Sequence, residues 1–484
     1  MTTDGPQPLG EALDGARMTP LHRRFWLLAA LGIMLDGFDF FIIGVANPLI
    51  AQQYDLSDAM KGLVSAAAIV GAMFGAAMLG PLADRLGRRR IFKYDLVMFA
   101  AFSAACIFAW NVWALIAFRF ALGLAIGLDY PVAASYLSEV LPARDRGRWL
   151  VSAFSLQAAG ILLGAVVGVI ILLILPDVSS WRLMLGFGVV PALVIIWLRR
   201  SVPESPRWLA LNGHDDEAVE VTQALVGHPV VVTDADRRQG PKVPEGLKAL
   251  FQPELFKRGM LRRTLFTSVP WFLMDIATYG VGIFTPTLLA ALALAGPDAT
   301  FLSDDIASTE GTAALDVFLV LGFVTAIFLV ERVGRIPLQL TGFAMMAVAL
   351  CLLGVADGLP GGGEAHIGLV VVGFAMFNFF MNAGPNATTY ALPAEVFPCE
   401  MKAAGQGFAA GMAKLGAALG VFMFPILQSD LGTSALLFII AGLCLVAFAV
   451  TYALRIEPKG RSLDEVSGRA APPRLEPEPH PVPP

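Results

Sequence analysis

Histidine, cysteine and charge are all scarce in this sequence, and each shortage removes a class of function. The five histidines among 484 residues (His22, His214, His228, His366 and His480) fall in tails or between apolar runs. No apolar run therefore holds a His-based metal or catalytic cluster, which argues against a membrane-embedded enzyme. The four cysteines (Cys106, Cys351, Cys399 and Cys444) are widely spaced, with no Cys-x-x-Cys, so neither a disulfide framework nor a metal site is expected. No cofactor and no nucleic-acid partner are expected either. Charged residues make up 15% of the chain, against about 25% in soluble domains. With 56% hydrophobic residues and a mean hydropathy of +0.69, the chain reads as a multi-pass membrane protein embedded in a lipid bilayer. The first 21 residues lack the charged-then-apolar layout of a cleaved leader, so the first span is expected to act as the insertion signal.

A helix needs about 20 apolar residues to cross a bilayer. Twelve runs qualify: 24–48, 60–80, 91–109, 113–138, 149–173, 182–198, 263–290, 313–331, 336–356, 367–391, 402–427 and 433–454. They divide the chain into an N-terminal tail (1–23), a first six-helix bundle (24–198), a polar linker (199–262), a second six-helix bundle (263–454) and a C-terminal tail (455–484). The last stretch of that tail, "PRLEPEPHPVPP", is Pro-rich and expected to be disordered. Lys and Arg collect on one set of loops: "ADRLGRRRIFK", Arg144 with Arg146 and Arg148, the linker, both tails, and Arg332 with Arg335. The opposite loops hold Asp55, Asp58, Asp177, Asp304, Asp305, Glu310, Glu364 and Asp430, with Lys61 their one basic residue. Positive charge stays inside, so both termini are expected to be cytoplasmic, in the plasma or inner membrane.

The two halves echo each other. "DRLGR" (84–88) returns as "ERVGR" (331–335), an offset of 247. "SEVLPARDRG" (138–147) returns as "AEVFPCEMKA" (394–403), an offset of 256. "PESPRWL" (203–209) is matched by "EPKGRSL" (457–463). Parallel repeats of this kind place a substrate site near the midplane between the halves. The Asp-Arg-x-Gly-Arg loops combine a tight glycine turn with an acid and a basic cluster that can latch onto facing helix ends. The gating set is Gly80, Asp84, Arg85, Gly87, Arg88, Glu139, Arg146, Glu331, Arg332, Arg335 and Glu395. The stretch "GPLADRLGRRR" (80–90) resembles the cytoplasmic loop signature of the major facilitator superfamily.

Polar residues inside spans are costly, about 2.5–3.5 kcal/mol for a charge at the centre on insertion scales, and mark functional positions. Asp36 and Asp39, in "GIMLDGFDFFIIG", share a face of span one, and carboxylates this close resist ionising together. A carboxyl that takes up and releases a proton is what proton coupling needs. Span four holds Arg119, Asp129 and Tyr130; Arg119 and Asp129 are ten residues apart, about 15 Å along a helix. Arg119 therefore needs a partner on another helix, for which an aspartate of span one is suited. Gln157 lies in span five. Trp271, Asp275 and Tyr279 are spaced four and four along span seven, on one face. Asn382 and Asn386 share a face of span ten, and Gly384-Pro385 between them is expected to break the helix toward a cavity. Lys414 sits among glycines and alanines in span eleven. One cation, an acid, an amide, an indole and a phenol make a donor-rich cage for a small anion, and lack the amides and hydroxyls expected for a sugar.

The segments "GLDYPVAASYLSE", "SLQAAGILLGA", "WFLMDIATYG", "LTGFAMM", "NAGPNATTYALPAEVFP" and "GMAKLGA" resemble the phosphate:proton symporters of the major facilitator superfamily. The most specific are Gly-x-Asp-Tyr-Pro, Trp-x-x-x-Asp-x-x-x-Tyr, and Gly-Pro-Asn followed 28 residues later by lysine. The resemblance implies an all-α membrane fold of twelve helices in two six-helix halves, working as a monomer. It also implies a phosphate site of Tyr130, Gln157, Trp271, Asp275, Tyr279, Asn386 and Lys414, and a proton path through Asp36, Asp39 and Asp129 with Arg119 nearby. Leu128 and Phe38 depart from the family pattern, which often has glycine and tyrosine there. The expected activity is proton-coupled phosphate import. The alternatives are a small organic acid on the same fold and, less favoured, a sugar transporter or a nutrient sensor.

Overall fold

The computed structural model describes residues 6–76, 86–142, 146–234, 236–237, 253–290, 301–397 and 402–459. Gly80, Asp84, Arg85 and Cys399 lie outside the described residues, and so do the side chains of Tyr130, Arg146 and Glu331. Among the described residues nine helices are long and apolar enough to cross a membrane. They occupy the positions of spans one (Pro20–Tyr54), four, five, six, eight, nine, ten, eleven and twelve. The other three expected spans are also helical: Asp58–Phe74, Arg88–Ile107 and Arg258–Ile283. Each falls short of the apolar rule for a visible reason. Span two has 17 described helical residues. Span three carries Arg90, Lys93 and Asp95 near its start, and span seven carries Asp275 among Thr267, Ser268, Pro270, Trp271, Thr278 and Tyr279.

Several helices start earlier than apolarity indicates. Span one begins at Pro20 because Thr19 and His22 form a reciprocal capping box, with proline in the first turn. His22, expected in the tail, is thus a buried member of that turn. Span eight begins at Phe301, so Asp304, Asp305 and Glu310 are helical rather than in a loop. Ser308, Thr309 and Thr312 return their hydroxyls to backbone carbonyls one turn back, which lets a polar stretch remain helical and buried.

Breaks follow proline. Span six is two helices, Trp181–Gly186 and Val189–Arg199, because Pro191 cannot donate to the carbonyl four residues before it. Span ten parts into Ile367–Ala383 and Pro385–Val396 at the expected Gly384-Pro385. This break is packed tightly on its span-nine side: a Cβ on Gly342 would stand 2.1 Å from Pro385 Cδ.

Small residues set the helix spacing within each half. A Cβ on Gly160 of span five would lie 1.9 Å from the Met34 carbonyl of span one. Its repeat-mate Gly416 of span eleven stands in the same relation to Phe272 of span seven, at 2.2 Å. The halves meet where span two packs on span eleven and span five on span eight. The linker carries helices Pro206–Leu211 and Asp215–Val226, and the N-terminal segment is pinned to it. Gln7–Pro8 pairs in parallel with Val230–Val231, and Arg207 bonds Asp14 at 2.6 Å.

Candidate functional site

The second half builds its polar site around Lys414. Trp271, Asp275 and Tyr279 lie along one face of span seven and are all buried. The Lys414 ammonium donates to the Tyr279 phenol at 2.8 Å and stands 3.9 Å from Asp275 Oδ2. It also lies over the rings of Tyr279 and Phe40, at 4.6 and 5.6 Å from their centroids. Gln157 of span five reaches the same phenol from the first half, so Tyr279 has polar contacts with both halves. Aromatic rings cover the cage on two sides. Phe40 and Phe41 pack on Tyr279, while Tyr390 packs on both Trp271 and Phe154.

Asn386 is placed by a ladder of amides. It donates to Asn382 Oδ1 at 2.7 Å, and Asn382 donates to the Asn378 carbonyl at 2.8 Å. The Asn378 amide in turn reaches Leu315 O at 3.1 Å and Asp316 Oδ1 at 3.4 Å on span eight. The i, i+4 spacing of the three asparagines makes this chain possible. Asn382, fully buried, therefore holds Asn386 in place and does not face the cage by itself.

In the first half the four residues expected on a proton path fall into two groups. Arg119 pairs with Asp39 at 3.5 Å, and both are fully buried. The Arg119 Nε and one of its terminal nitrogens have no hydrogen-bond partner, so Asp39 is its principal counter-charge. Asp36, one turn earlier, belongs elsewhere: it faces Asp129, Asp95 and Arg199. Arg199 reaches Asp129 at 3.2 Å and Asp95 at 3.8 Å, donates to the Leu28 and Ala29 carbonyls, and stacks over Phe92. Neither Asp95 nor Arg199 stood out in the sequence. Asp95 follows a run of basic residues at the start of span three, and Arg199 reads as a topology anchor at the linker.

The two Asp/Glu-Arg-x-Gly-Arg loops, expected to gate, are matched by repeated contacts among the described residues. Arg88 pairs with Glu139 at 2.9 Å, and Arg335 pairs with Glu395 through two hydrogen bonds of 2.7 and 3.0 Å. Glu204 accepts from the Arg88 and Arg89 amides, and Glu457 from the Arg335 and Ile336 amides, so each caps the N-terminus of the following span. Gly87 and Gly334 precede those helices with φ of +92° and +107°, a region that favours glycine. Gly87→Ala is expected to cost about 1–3 kcal/mol through backbone strain and collision with Glu204, whose Oε2 would stand 2.3 Å from the new Cβ. Gly334→Ala should cost less, since the matching gap to Glu457 is 3.0 Å. Thermal unfolding in detergent measures both; a smaller loss for Gly87→Ala than for Gly334→Ala would contradict this ordering.

Two bundles with charges buried across their spans define the class of a multi-pass membrane transporter, and solved structures agree. The inward-open xylose transporter XylE of E. coli superposes with a TM-score of 0.74 at 21% identity, over 92% of this chain and 99% of that one. Its partially occluded inward-open form gives 0.73 at 22% identity, over 92% and 100%. XylE is a proton:xylose symporter of the major facilitator superfamily, and this chain shares that fold. The chain belongs to the sugar (and other) transporter family, whose profile matches residues 25–469; this is a family of transporters and not of enzymes. The putative metabolite transport protein YaaU of Escherichia coli K12 is 30% identical over 458 positions, covering 94% of this chain and 96% of the relative. The probable inorganic phosphate transporter 1-6 of Arabidopsis thaliana is 29% identical over 507 positions, covering 96% and 97%. The probable inorganic phosphate transporter 1-3 of Oryza sativa subsp. japonica is 30% identical over 524 positions, covering 96% and 97%.

Proposed function

We propose that this transporter is a proton-coupled symporter that imports inorganic phosphate, alternating access by rocking bundles 24–198 and 263–454 around the Lys414 cage. The observation that carries this reading is the contact of Lys414 with both Tyr279 and Asp275 at the meeting of the halves. Lys414 supplies the positive charge an anion needs. Tyr279, Trp271, Gln157, Asn386 and Tyr130 supply donors. The relatives named as phosphate transporters favour phosphate, and the lysine favours an anion over a sugar. The excess of Lys and Arg on one set of loops supports cytoplasmic termini, and every residue assigned to the cage and the proton path belongs to one chain, which supports a working monomer.

Asp275 gives the coupling its logic. Ionised, it competes with phosphate for Lys414 and repels the anion. Protonated, it releases Lys414 and donates a hydrogen bond of its own. Phosphate binding then carries a proton with it, and the aspartates of span one with Asp129 pass protons in the first half. Asp275→Asn is accordingly expected to keep phosphate binding, since the amide still donates, and to lose its decline with rising pH. Binding of labelled phosphate across a pH series measures this; complete loss of binding in a folded variant contradicts a protonated Asp275.

Uptake of phosphate, sulfate, benzoate and hexose into proteoliposomes at two pH values tests the substrate. The expected result is phosphate uptake accelerated by an inward proton gradient. Preferential benzoate uptake would replace phosphate with an organic acid on the same fold.

A further inference from the structure

Four ionisable side chains from four spans meet in the first half, away from the phosphate cage. Asp36, Asp95 and Asp129 are 3%, 1% and 3% exposed, and Arg199 is 2% exposed. The three carboxylates line one small cavity walled by Leu96, Phe99, Ala125 and Ile126. Each has its Oδ2 buried without a hydrogen-bond partner. Gly32, one turn before Asp36, makes room for the group: a Cβ there would stand 2.2 Å from an Arg199 nitrogen and 2.3 Å from Asp129 Oδ2.

Charge balance gives this cluster a function. Three acids share one guanidinium, so with all three ionised the pocket would hold two uncompensated negative charges among aromatic and aliphatic side chains. Each such buried charge costs several kcal/mol. Protons held between facing carboxyl oxygens remove that cost, and the unpartnered Oδ2 atoms are where they fit. Among the described residues Arg199 is the cation that acts on Asp36 and Asp95. Span one contributes Asp36 and, one turn on, Asp39, which is paired with Arg119 of span four. Span five has no acid within its helix, and its glutamine faces Tyr279 of span seven, the next titratable group within reach of Asp36.

We propose that Asp36, Asp95 and Asp129 form a single shared-proton site with Arg199 as its fixed counter-charge, making Asp95 of span three a proton-binding residue of the transporter. Arg199 stands five residues before Glu204, which caps the N-terminus of the helix that carries Asp95. Proton gain or loss in the cavity therefore loosens or tightens the tie between span six and span three, next to the gating loop. The role of the site in transport rests on the symport reading above; its proton binding does not.

The test is Asp95→Asn in the full-length protein. Infrared difference spectra across pH steps in nanodiscs report the carbonyl stretch of protonated carboxyls, identified by its shift in heavy water. The expected result is loss of part of that band and a displaced pH profile for the remainder. In proteoliposomes the variant should lose accumulation of labelled phosphate driven by a proton gradient and keep phosphate counterflow at equal pH. A spectrum and profile identical to wild type overturn the proposal, as does joint loss of counterflow and accumulation in a folded variant. If Asp95→Asn does not fold, Asp36→Asn probes the same cavity from span one: the remaining carboxyl signals must move, and unmoved signals overturn the proposal. The infrared readout needs no substrate. A wild-type protein that takes up no phosphate would therefore sink the symport reading alone.

Discussion

Lys414→Ala is expected to abolish uptake of labelled phosphate in proteoliposomes. Lys414 is the cation that touches both Tyr279 and Asp275, and its ammonium lies 2.8 Å from the phenol. A hydrogen bond to a charged group contributes about 1.5–3 kcal/mol, which is roughly tenfold to more than a hundredfold in affinity. The alanine variant loses that contribution together with the charge that attracts the anion. Lys414→Arg is not expected to rescue. The guanidinium is broader and planar, and span eleven is seated closely here, with Gly416 against the Phe272 carbonyl and Ala413 and Ala417 fully buried. Normal phosphate uptake by Lys414→Ala, in a protein shown to be folded, removes the anion cage as an explanation.

Asp39→Asn and Asp36→Asn should separate sharply, although the two residues are one turn apart. Arg119 is fully buried and has Asp39 as its principal counter-charge at 3.5 Å. Removing one partner of a buried pair costs about 3–5 kcal/mol, because the other charge is stranded. Asp39→Asn is therefore expected to lower the melting temperature in detergent markedly. Adding Arg119→Gln should recover most of the loss, since the stranded charge is then gone. Asp36 sits where acids outnumber cations, so Asp36→Asn relieves negative charge and should melt near wild type. It should nevertheless lose proton-driven accumulation of phosphate. Equal melting temperatures for the two single variants would contradict the assignment of Arg119 to Asp39.

Much of this arrangement is legible in one dimension. The lipid core demands long apolar runs and sorts Lys and Arg to one side, so hydropathy and charge place the spans and the linker. The duplicated Asp/Glu-Arg-x-Gly-Arg and Ser/Ala-Glu-Val segments show the repeat, and the structure turns them into matching Arg88–Glu139 and Arg335–Glu395 pairs. Spacing alone places Trp271, Asp275 and Tyr279 on one face. Where apolarity misleads, local chemistry is the reason. The capping box at Thr19 and the hydroxyl bonds around Asp305 extend helices into polar sequence.

Partnership between spans is a different kind of information. Nothing in "DGFD" tells which aspartate meets Arg119 and which meets Arg199. That choice depends on how span one is rotated against its neighbours, and the rotation is set by glycine-to-carbonyl contacts such as Gly160 with Met34 and Gly37 with Gln157. Asp95 and Arg199 become part of a buried cluster of acids around one guanidinium, and Glu204 and Glu457 become helix caps, through contacts spanning 70 or more residues of chain. Topology follows from the solvent each segment prefers, which is a property of composition along the chain. The pairing of buried charges follows from close packing of helix faces, and comes into being when the bundle assembles.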